Sequence, residues 1–376
     1  MTSRQANCIP VINNDKMKIN YVIEDFSVFG GIERIVSQKA NILATQYGYD
    51  VTIISVYKDD RPVRYPLDKS IRIIRLDVPW TEKTANKAVL TMRRITTLVK
   101  AVSRLNKAVK ETKPDIIFFA TTLSALLLPF CRTNAKKVFE AHTARKFTPY
   151  NRLFTLTERR ADAVICLTQD DAGEYKTARR VEVIPNFIDN PQRHAGDYAV
   201  KRAVAVGRLV PEKGFDRLIR CWKAAVGKHP GWQLDIYGEG PTREKLQGQI
   251  NSLGLENSVN LRGICGNMTE RYADYSLHLM TSHYEGLGIV LIEAQSVGLP
   301  SVTFDYEYGA RDIVADGVTG IIVPQDDEQA FTAAIQKMMY SEELRRKYGT
   351  EAVKAAGRFS RAEVMEKWNS LIKELE

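Results

Sequence analysis

The chain has 376 residues, of which 44% are hydrophobic and 26% charged, and it carries a formal net charge of +9. This composition is typical of a soluble globular protein and excludes a fibrous or largely disordered one. The length exceeds what a single hydrophobic core usually organises, so two domains are expected. The longest uncharged run, 116–131, is too short to span a bilayer and contains Pro129, which favours a buried strand followed by a helix.

The N-terminal segment and the cysteines indicate a cytoplasmic protein. Residues 1–16 lack the apolar core of a secretory signal and are interpreted as a disordered leader or a start-site extension. Five cysteines are scattered without C-x-x-C spacing, which favours reduced thiols over disulfides or zinc ligands. Because metal-ligand spacings are also missing, no metal and no other cofactor is expected.

From residue 17 onward, short aliphatic runs alternate with helical patterns, as is typical of parallel β/α units. Strands are predicted in the first half at 19–26, 51–57, 71–76, 115–120, 137–141, 163–168 and 181–186, with helices at 30–48 and 86–110. The polar interval 189–201 is the expected linker. In the second half, strands are predicted at 202–207, 232–238, 259–263, 277–282, 300–305 and 320–324, with helices at 214–228, 241–253, 268–275, 289–297, 327–339, 342–356 and 360–376.

These elements predict an α/β protein of two doubly wound, Rossmann-like domains that face each other across a cleft. The expected limits are 17–195 for the first domain and 196–358 for the second, with 359–376 as a final amphipathic helix. Open α/β sheets bind ligands beyond the carboxyl ends of their strands, so we expect the functional residues there.

A basic cluster indicates an anionic partner. Between Lys83 and Lys113 nine basic residues stand against one acid, Glu111. Apolar residues are interleaved with these cations in the predicted helix at 86–110, a pattern suited to an anionic membrane surface. A helix packed on a core with a basic outer face is the alternative. Nucleic acid is not an expected partner, because the aromatic residues of a single-strand groove are missing there.

Two glycine-containing turns follow predicted strands. Gly30 and Gly31 lie between the first strand and its helix, where backbone amides can approach an anion, although a structural turn explains them equally. Because no third glycine follows, they do not form the dinucleotide fingerprint, which argues against a nicotinamide-dependent dehydrogenase; lack of NAD binding would exclude it. Gly207, Arg208 and Lys213 follow the first strand of the second half. Two cations at such a junction suit a diphosphate, and solvated surface cations are the alternative.

The stretch HYEGLGIVLIEAQSVGLP, 283–300, places Glu285 and Glu293 on either side of a glycine pair. Gly286 and Gly288 leave room for a ligand at the N-terminus of the predicted helix, where amides and the helix dipole favour phosphate. Carboxylates accept hydrogen bonds from vicinal hydroxyls, so one acid suits a ribose and the other a sugar ring. His142 ends the fifth predicted strand. A histidine alone is more often structural than catalytic.

Several motifs together resemble a known family. They are Gly207-Arg208-Leu209 with Glu212-Lys213-Gly214, Gly238-x-Gly240-Pro241, Glu285-Gly286-x-Gly288-Ile289-x-x-x-Glu293-Ala294 and Gly298-Leu299-Pro300. The chain resembles, from Met17 to its end, the retaining glycosyltransferases of family 4, which have the GT-B architecture and an E-x7-E signature. In related enzymes the final helix crosses back to the first domain, and the last segment, 359–376, suits this role.

The resemblance implies a nucleotide-sugar site in the second domain. It assigns the diphosphate to Arg208 and Lys213, the donor sugar to Glu285 and the ribose to Glu293, and His142 approaches the donor sugar from the first domain. It also places the base near Ile264, sugar hydroxyls and phosphate at backbone amides, and the glycine-rich loop of the first domain beside the diphosphate. The implied binding residues are Gly30, Gly31, Gly238, Ile264, Gly286, Leu287, Gly288 and Ile289.

The implied activity is transfer of a hexosyl or N-acetylhexosaminyl group from a UDP-sugar, with retention, to a glycan acceptor in cell-surface polysaccharide synthesis. No nucleophile pair for double displacement is evident, so front-face transfer is favoured. If the basic helix lies on the inner face of the plasma membrane, the acceptor is a polyprenyl-diphosphate-linked glycan. A GT-B-like sugar-nucleotide epimerase, which needs no acceptor, is the alternative.

Overall fold

The structure is a computed structural model that describes residues 16–28, 30–58, 61–80, 87–148 and 151–376. Residues 1–15 of the expected leader, and Lys83 of the basic cluster, lie outside the described residues. Every segment that the sequence predicts as a strand forms one.

The strands of the described chain form two sheets. The first sheet contains β1 Lys18–Ile23, β2 Asp50–Tyr57, β3 Arg72–Val78, β4 Ile116–Phe119, β5 Lys136–Glu140, β6 Ala163–Cys166 and β7 Val181–Val183, and the second contains β8 Arg202–Val206, β9 Gln233–Tyr237, β10 Val259–Gly263, β11 Leu277–Met280, β12 Ser301–Phe304 and β13 Gly320–Val323. Their orders are β3-β2-β1-β4-β5-β6-β7 and β10-β9-β8-β11-β12-β13. Both follow the doubly wound order, in which the chain reverses direction across the sheet after its first three strands.

This order creates one switch point in each sheet. In the first sheet, β1 pairs in parallel with both β2 and β4, and in the second, β8 pairs in parallel with both β9 and β11. The connections leaving the two central strands diverge to opposite sides, which opens a crevice at the carboxyl edge. Ligands are therefore expected beyond the ends of β1 and β4, and beyond the ends of β8 and β11.

The helices lie between the strands, as parallel connections require. They are α1 Gly31–Thr45, α2 Lys87–Thr112, α3 Thr122–Ala125, α4 Asn151–Arg160, α5 Gln169–Ala172, α6 Phe215–Val226, α7 Arg243–Ser252, α8 Met268–Tyr272, α9 Ile289–Ser296, α10 Ala310–Ile313, α11 Glu328–Tyr340, α12 Glu342–Ala356 and α13 Arg361–Leu375. The helix expected within 116–131 is confirmed in a short form as α3. The helices α4, α5 and α10 were not predicted.

Two strands end earlier than the sequence indicates. β1 stops at Ile23 rather than at residue 26, because Asp25 Oδ1 accepts the backbone N–H of Ser27 at 2.9 Å and turns the chain out of the sheet. β7 stops at Val183 because Pro185, two residues on, has no N–H to donate to the ladder.

The chain divides into two compact units. One runs to Lys137 and includes Leu375–Glu376, and the other spans Val138–Glu374. The chain passes from the first sheet to the second later, between Val183 and Arg202. Because the boundary between compact units and the boundary between sheets differ, the domain limits predicted from the sequence stay a prediction.

Each unit has its own buried core. In the second, α6 packs against α11 and both cover the sheet, with Trp222 and Phe331 fully buried. In the first, β1, β2 and β4 are buried almost throughout, as is typical of central parallel strands. Cys131, Cys166 and Cys221 are free thiols, and all three are buried.

Helix α2 is packed along only part of its length. Its second half is buried against the unit through Ala101, Leu105, Ala108 and Val109. Its first half instead exposes large apolar side chains: Val89 40%, Met92 68%, Ile95 57% and Val99 62%. The alternative of a core-packed helix with a basic outer face therefore fits only the second half of α2.

Among the described residues no helix is long and apolar enough to cross a bilayer.

Candidate functional site

The switch point of the second sheet brings together two loops that the sequence singled out. One follows β8 and carries Arg208 and Lys213. The other follows β11, contains Glu285 and leads into α9. The backbone N–H of His283 donates to Glu212 O at 2.8 Å, and Thr281 Oγ1 donates to Lys213 O at 3.1 Å. These bonds hold the two loops side by side within one compact unit.

Lys213 and Glu285 form an ion pair where the two loops meet. Lys213 Nζ lies 2.5 Å from Glu285 Oε1, and the same oxygen accepts a hydrogen bond from Ser282 Oγ at 2.6 Å. The side chains are 19% and 14% exposed, so the pair is partly shielded from water. Its position at the edge of the site lets a ligand reach both groups.

Arg208 is the other predicted diphosphate ligand, and it is exposed. In the described part of the chain its guanidinium makes no hydrogen bond or ion pair. Its charge acts on Tyr284: burial and Glu212 raise the pKa of this phenol, while Arg208 lowers it. Arg208 is therefore close to the Glu285 loop and has all of its donors available.

Arg217 of α6 anchors the loop after β11. Its buried guanidinium donates to Thr281 O at 2.6 and 2.8 Å, and to Ser282 O at 2.8 Å. A further bond reaches Asp326 Oδ1 at 2.6 Å, and the guanidinium stacks 4.0 Å from the ring centroid of Phe304. Burial lowers the pKa of Arg217, which is consistent with a positioning role beneath the site.

The N-terminus of α9 is shaped by glycine. Gly288 caps the helix with φ 91°, a left-handed conformation that side chains rarely adopt. A Cβ there would lie 2.3 Å from Tyr306 Oη, which donates to Leu287 O at 3.0 Å. The side chain of Leu287 is buried with Tyr306 and Leu291. Only the backbone of Leu287 can therefore face a ligand, and the amides that open α9, up to that of Ile289, remain the predicted anion site.

Glu293 lies one turn inside α9 and is half-buried. Burial, together with the charge of Glu293, raises the pKa of Tyr272, so the carboxylate lies near that phenol. Glu285 and Glu293 thus have different surroundings, since the former is paired with a cation and the latter neighbours a buried tyrosine. This difference suits separate binding roles.

His142 follows β5 and belongs to the same compact unit as Glu285. Its Nε2 lies 3.0 Å from Glu140 Oε1, and the two side chains are 5% and 2% exposed. A Cβ on Gly286 would lie 2.8 Å from the backbone oxygen of His142. The glycine therefore allows the His142 segment to lie against the Glu285 loop, and the structure brings these predicted residues together.

Two glycines after β9 let that turn approach the turn after β8 closely. A Cβ on Gly238 would lie 1.8 Å from Gly207 O, and one on Gly240 would lie 2.4 Å from Leu209 O. Beyond β10, Ile264 is 79% exposed. An exposed aliphatic side chain beside these turns suits the flat face of a base, the role implied for it.

Gly30 and Gly31 belong to the first compact unit, at the start of α1. Tyr65 Oη donates to Gly30 O at 2.9 Å. A Cβ on Gly30 would lie 2.1 Å from Glu33 Oε2, so the glycine makes room for this buried carboxylate. An anion at this helix start has to displace Glu33, and the predicted diphosphate contact stays a prediction.

Sequence reasoning missed four positioning residues: Glu140, Arg217, Ser282 and Tyr306. A signal existed for Glu140, an acid that directly follows the apolar pair Val138 and Phe139 and stands two residues before His142. Arg217 and Tyr306 act through backbone carbonyls of distant loops, and no local pattern reports such contacts.

Comparison with known proteins is consistent with this geometry. The model of the family "Glycosyltransferase Family 4" matches residues 29–190, and that of "Glycosyl transferases group 1" matches residues 189–355. The amylovoran biosynthesis glycosyltransferase AmsD of Erwinia amylovora is 28% identical over 94% of this chain and 99% of its own length. An exopolysaccharide phosphotransferase of Streptomyces coelicolor is 28% identical over 96% of this chain, which spans only 41% of that longer protein.

The fold is also found among solved structures. A mutant of TarM from S. aureus, crystallised with fondaparinux, α-GlcNAc-glycerol and UDP, has a TM-score of 0.76 at 16% identity, over 94% of this chain and 99% of TarM. The two sheets of the described chain thus have the GT-B architecture. The two family models together cover residues 29–355 and support a GT-B glycosyltransferase family. By these models and the likeness to AmsD, the chain is a glycosyltransferase.

Proposed function

We propose that this glycosyltransferase moves a hexosyl or N-acetylhexosaminyl group from a UDP-sugar to a glycan acceptor, with retention of configuration, in cell-surface polysaccharide synthesis. The observation that carries the proposal is the pairing of Lys213 with Glu285 at the switch point of the second sheet, with Arg208 close to Tyr284 in the same loop as Glu285. UDP bound to TarM supports the choice of nucleotide. The names of AmsD and the Streptomyces protein support the choice of process.

In the proposed complex the diphosphate lies between Arg208, Lys213 and the amides that open α9. Lys213 then exchanges part of its interaction with Glu285 for phosphate, and the released carboxylate oxygen accepts a hydroxyl of the donor sugar. Glu293 holds the ribose hydroxyls, and His142 contacts the donor sugar. No metal or other cofactor is included, because two cations and a helix N-terminus meet the diphosphate charge.

The proposed reaction is a front-face displacement. The bond between the anomeric carbon and the diphosphate oxygen breaks, and its electron pair leaves with UDP. The acceptor oxygen bonds to the anomeric carbon from the same face, and its proton passes to the departing phosphate oxygen. Arg208 and Lys213 stabilise the charge that develops on the leaving group, and preorganised donors of this kind contribute strongly to catalysis.

The test is turnover of a panel of UDP-, GDP- and dTDP-sugars with a membrane extract as the acceptor source. We expect one UDP-sugar to be consumed, with an α-linked product from an α-linked donor. Arg208→Ala should lower turnover by about a hundredfold or more, as loss of a charge-stabilising donor does. Lys347→Ala is the matched control, since Lys347 is exposed on α12. Conversion of the nucleotide sugar without acceptor would instead support the epimerase.

The acceptor is proposed to be linked to a polyprenyl diphosphate at the cytoplasmic leaflet, with the first half of α2 on the membrane. Met92, Ile95 and Val99 are exposed there beside Arg93 and Arg94, which suits insertion into an anionic interface.

Vesicle flotation tests this placement. Vesicles with anionic lipid should carry the protein upward, whereas neutral vesicles should not. Ile95→Asp with Val99→Asp should abolish flotation. Val353→Asp, which charges an apolar side chain 36% exposed on α12, should not. Equal flotation with both vesicle types, or of both variants, would contradict the membrane role.

A further inference from the structure

Two connections that leave different sheets meet beside the Glu285 loop, within the second compact unit. One follows β5 and contains His142, Lys146 and Phe147, and the other follows β12 and contains Glu307. Lys146 and Glu307 are 161 residues apart along the chain. Since His142 is one of the residues expected to contact the donor sugar, the contacts that fix the first connection also fix a part of the donor site.

Lys146 and Glu307 form an ion pair that joins these two connections. Lys146 Nζ donates to Glu307 Oε1 at 2.8 Å and to Oε2 at 2.9 Å, so both carboxylate oxygens share the ammonium group. The two side chains are 56% and 48% exposed. An ion pair this exposed contributes little to the stability of a fold. Its main effect is therefore to set where the two connections lie relative to each other.

Phe147 packs next to this ion pair, between two tyrosines. Its ring centroid lies 4.7 Å from that of Tyr284, with the planes tilted by 31°, and 6.0 Å from that of Tyr308, which it meets edge-on at 88°. Aromatic pairs prefer offset and edge-to-face arrangements at such distances. Because Tyr284 directly precedes Glu285, Phe147 contacts the Glu285 loop itself.

The connection after β12 is fixed in turn to the loop that opens α9. Tyr284 and Glu307 form an isolated parallel bridge, and Tyr306 Oη donates to Leu287 O at 3.0 Å. Tyr308 has φ 68°, a left-handed conformation that few residues other than glycine adopt. Such strain persists where surrounding contacts hold it, and it is concentrated at functional sites. The partners of Lys146 and Phe147 thus belong to one fixed surface beside the donor site.

The connection after β5 is held at both ends of its central part. At one end, a Cβ on Gly286 would lie 2.8 Å from His142 O, so the two backbones are in close contact. At the other end, the backbone N–H of Arg145 donates to Asp171 Oδ1 at 2.7 Å, and its Nε donates to Glu158 Oε1 at 2.6 Å. The ion pair and the aromatic stack follow directly, so a change in either one reaches His142 through only a few residues.

We propose that Lys146 and Phe147 are positioning residues for the donor sugar, which hold the His142 segment against the loop that opens α9. They do so through Glu307 and Tyr284, and neither of them contacts the reacting atoms. Their joint loss therefore leaves the site able to bind a nucleotide but places His142 incorrectly for transfer.

The proposal rests on the proposed glycosyl transfer, in which Arg208, Lys213 and the amides of α9 hold the diphosphate. His142 and Glu285 contact the donor sugar instead. Because neither positioning residue belongs to the diphosphate set, substituting them should lower the rate of transfer and leave UDP affinity unchanged. A residue that only stabilised the fold would not separate these two quantities.

Kinetics with the full-length protein test this separation. The probes are UDP-glucose, UDP-galactose and UDP-N-acetylglucosamine, with a membrane extract as the acceptor source, and calorimetry measures the affinity for UDP alone. We expect Lys146→Met to lower kcat by about two- to fivefold, as loss of an exposed ion pair allows. Lys146→Met with Phe147→Ala should lower kcat at least tenfold. The UDP affinity of both variants should stay within twofold of the wild type.

Exchanging the two charges separates the ion pair from other effects of substitution. Lys146→Glu places two carboxylates side by side and should lower kcat at least tenfold, and adding Glu307→Lys should restore it to within threefold of the wild type. Lys354→Met is the matched control, because Lys354 is 67% exposed and pairs with Glu351 at 2.7 Å within α12. Tyr340→Ala removes an exposed aromatic ring at the end of α11. Neither control should change kcat.

Hydrogen exchange reports the hold on the His142 segment without any substrate. The backbone N–H of Phe147 donates to Ala144 O at 3.0 Å, and that of Thr148 donates to Arg145 O at 3.1 Å. In Lys146→Met with Phe147→Ala, the protection of both amides should fall at least tenfold. In Lys354→Met it should equal that of the wild type.

Unchanged amide protection in the double variant would overturn the proposal, whatever the kinetics. A UDP affinity that falls as far as kcat would also overturn it, since this result marks a structural role. Failure of the proposal leaves UDP binding and turnover of the wild type intact. Failure of the proposed function, by contrast, is seen in the wild type, which would then neither bind UDP nor consume a UDP-sugar.

Discussion

Burial changes the protonation of particular side chains, and Asp171 at the start of α5 shows this most clearly. The residue is 3% exposed, and burial raises its pKa from the ordinary 3.8 to about 6, although the backbone N–H of Arg145 donates to it at 2.7 Å. The folded protein thus holds this proton more tightly than the unfolded chain. Its contribution to stability is complete below pH 4 and is lost as the pH rises through about 6.

Asp171→Asn tests this pH dependence, since the amide oxygen can still accept the N–H of Arg145. Relative to the variant, the wild type should lose roughly 1–3 kcal/mol of unfolding free energy between pH 4 and pH 7. Urea unfolding at pH 4, 5, 6 and 7 measures the difference. A difference that is constant over this range would show that Asp171 ionises normally.

Lys213 and Glu285 interact with each other in a way that their separate predicted roles do not indicate. Two residues predicted to bind different parts of the donor form an ion pair with each other at 2.5 Å. Both positions were identified from the sequence as members of one site. The pairing itself was not, because it depends on how two loops 72 residues apart are held.

Among the elements, α6 carries two arginines that look alike in sequence and differ in their surroundings. Arg217 is 3% exposed at its side chain and holds the carbonyl oxygens of the loop after β11, whereas Arg220 is 47% exposed and pairs with Asp216 and Glu328. Buried acceptors that lose their donor are costly, while exposed ion pairs contribute little.

Substituting methionine at each position compares the two directly. Arg217→Met should lower the unfolding free energy by about 2–4 kcal/mol, because Thr281 O and Ser282 O lose their donor. Arg220→Met should cost less than about 1 kcal/mol. Chemical denaturation of both variants measures the costs, and equal losses would contradict the anchoring role.

The turn that opens α9 depends on Gly288 for two reasons, its φ of 91° and the contact with Tyr306. Gly288→Ala should destabilise by more than the roughly 1–2 kcal/mol of left-handed strain alone. Gly317→Ala isolates that strain, since Gly317 has φ 71° and no atom within 4 Å of a Cβ. Thermal unfolding of both variants, and of Gly288→Ala with Tyr306→Phe, measures the two contributions. Equal losses for Gly288→Ala and Gly317→Ala would exclude the clash.

The sequence predicted the strands better than the short helices. Buried parallel strands are continuous aliphatic runs, so segments such as 51–57 and 277–282 are recognisable without other information. Helices of four residues, such as α5 and α10, have no periodicity to detect. Hydrogen bonds from distant residues reach both, since Arg145 N–H donates to Asp171 and Arg358 donates to Ile313 O. The strand ends at Ile23 and Val183 were missed because side-chain turns and proline act locally against the aliphatic pattern.

At the scale of the whole molecule, the two sheets repeat one doubly wound order, and each has polar residues at its own switch point. Lys213 and Glu285 lie at one, and a cavity of about 490 Å³ lined by residues such as Glu24, Tyr57, Trp80 and Thr121 lies at the other. The sequence located the first through spaced motifs. It did not reveal the cavity, because these four residues come from the end of β2 and from the separate connections after β1, β3 and β4, without a shared motif.

The central claim is that Lys213 and its neighbours hold the diphosphate of a UDP-sugar. Calorimetric titration of UDP into the wild type, Lys213→Ala and Lys347→Ala tests it most directly. Charge-assisted hydrogen bonds contribute about 1.5–3 kcal/mol each. The wild type and Lys347→Ala should therefore bind UDP equally, and Lys213→Ala should bind it at least tenfold more weakly. A wild type that does not bind UDP, or a Lys213→Ala variant that binds it as well as the wild type, would contradict the account.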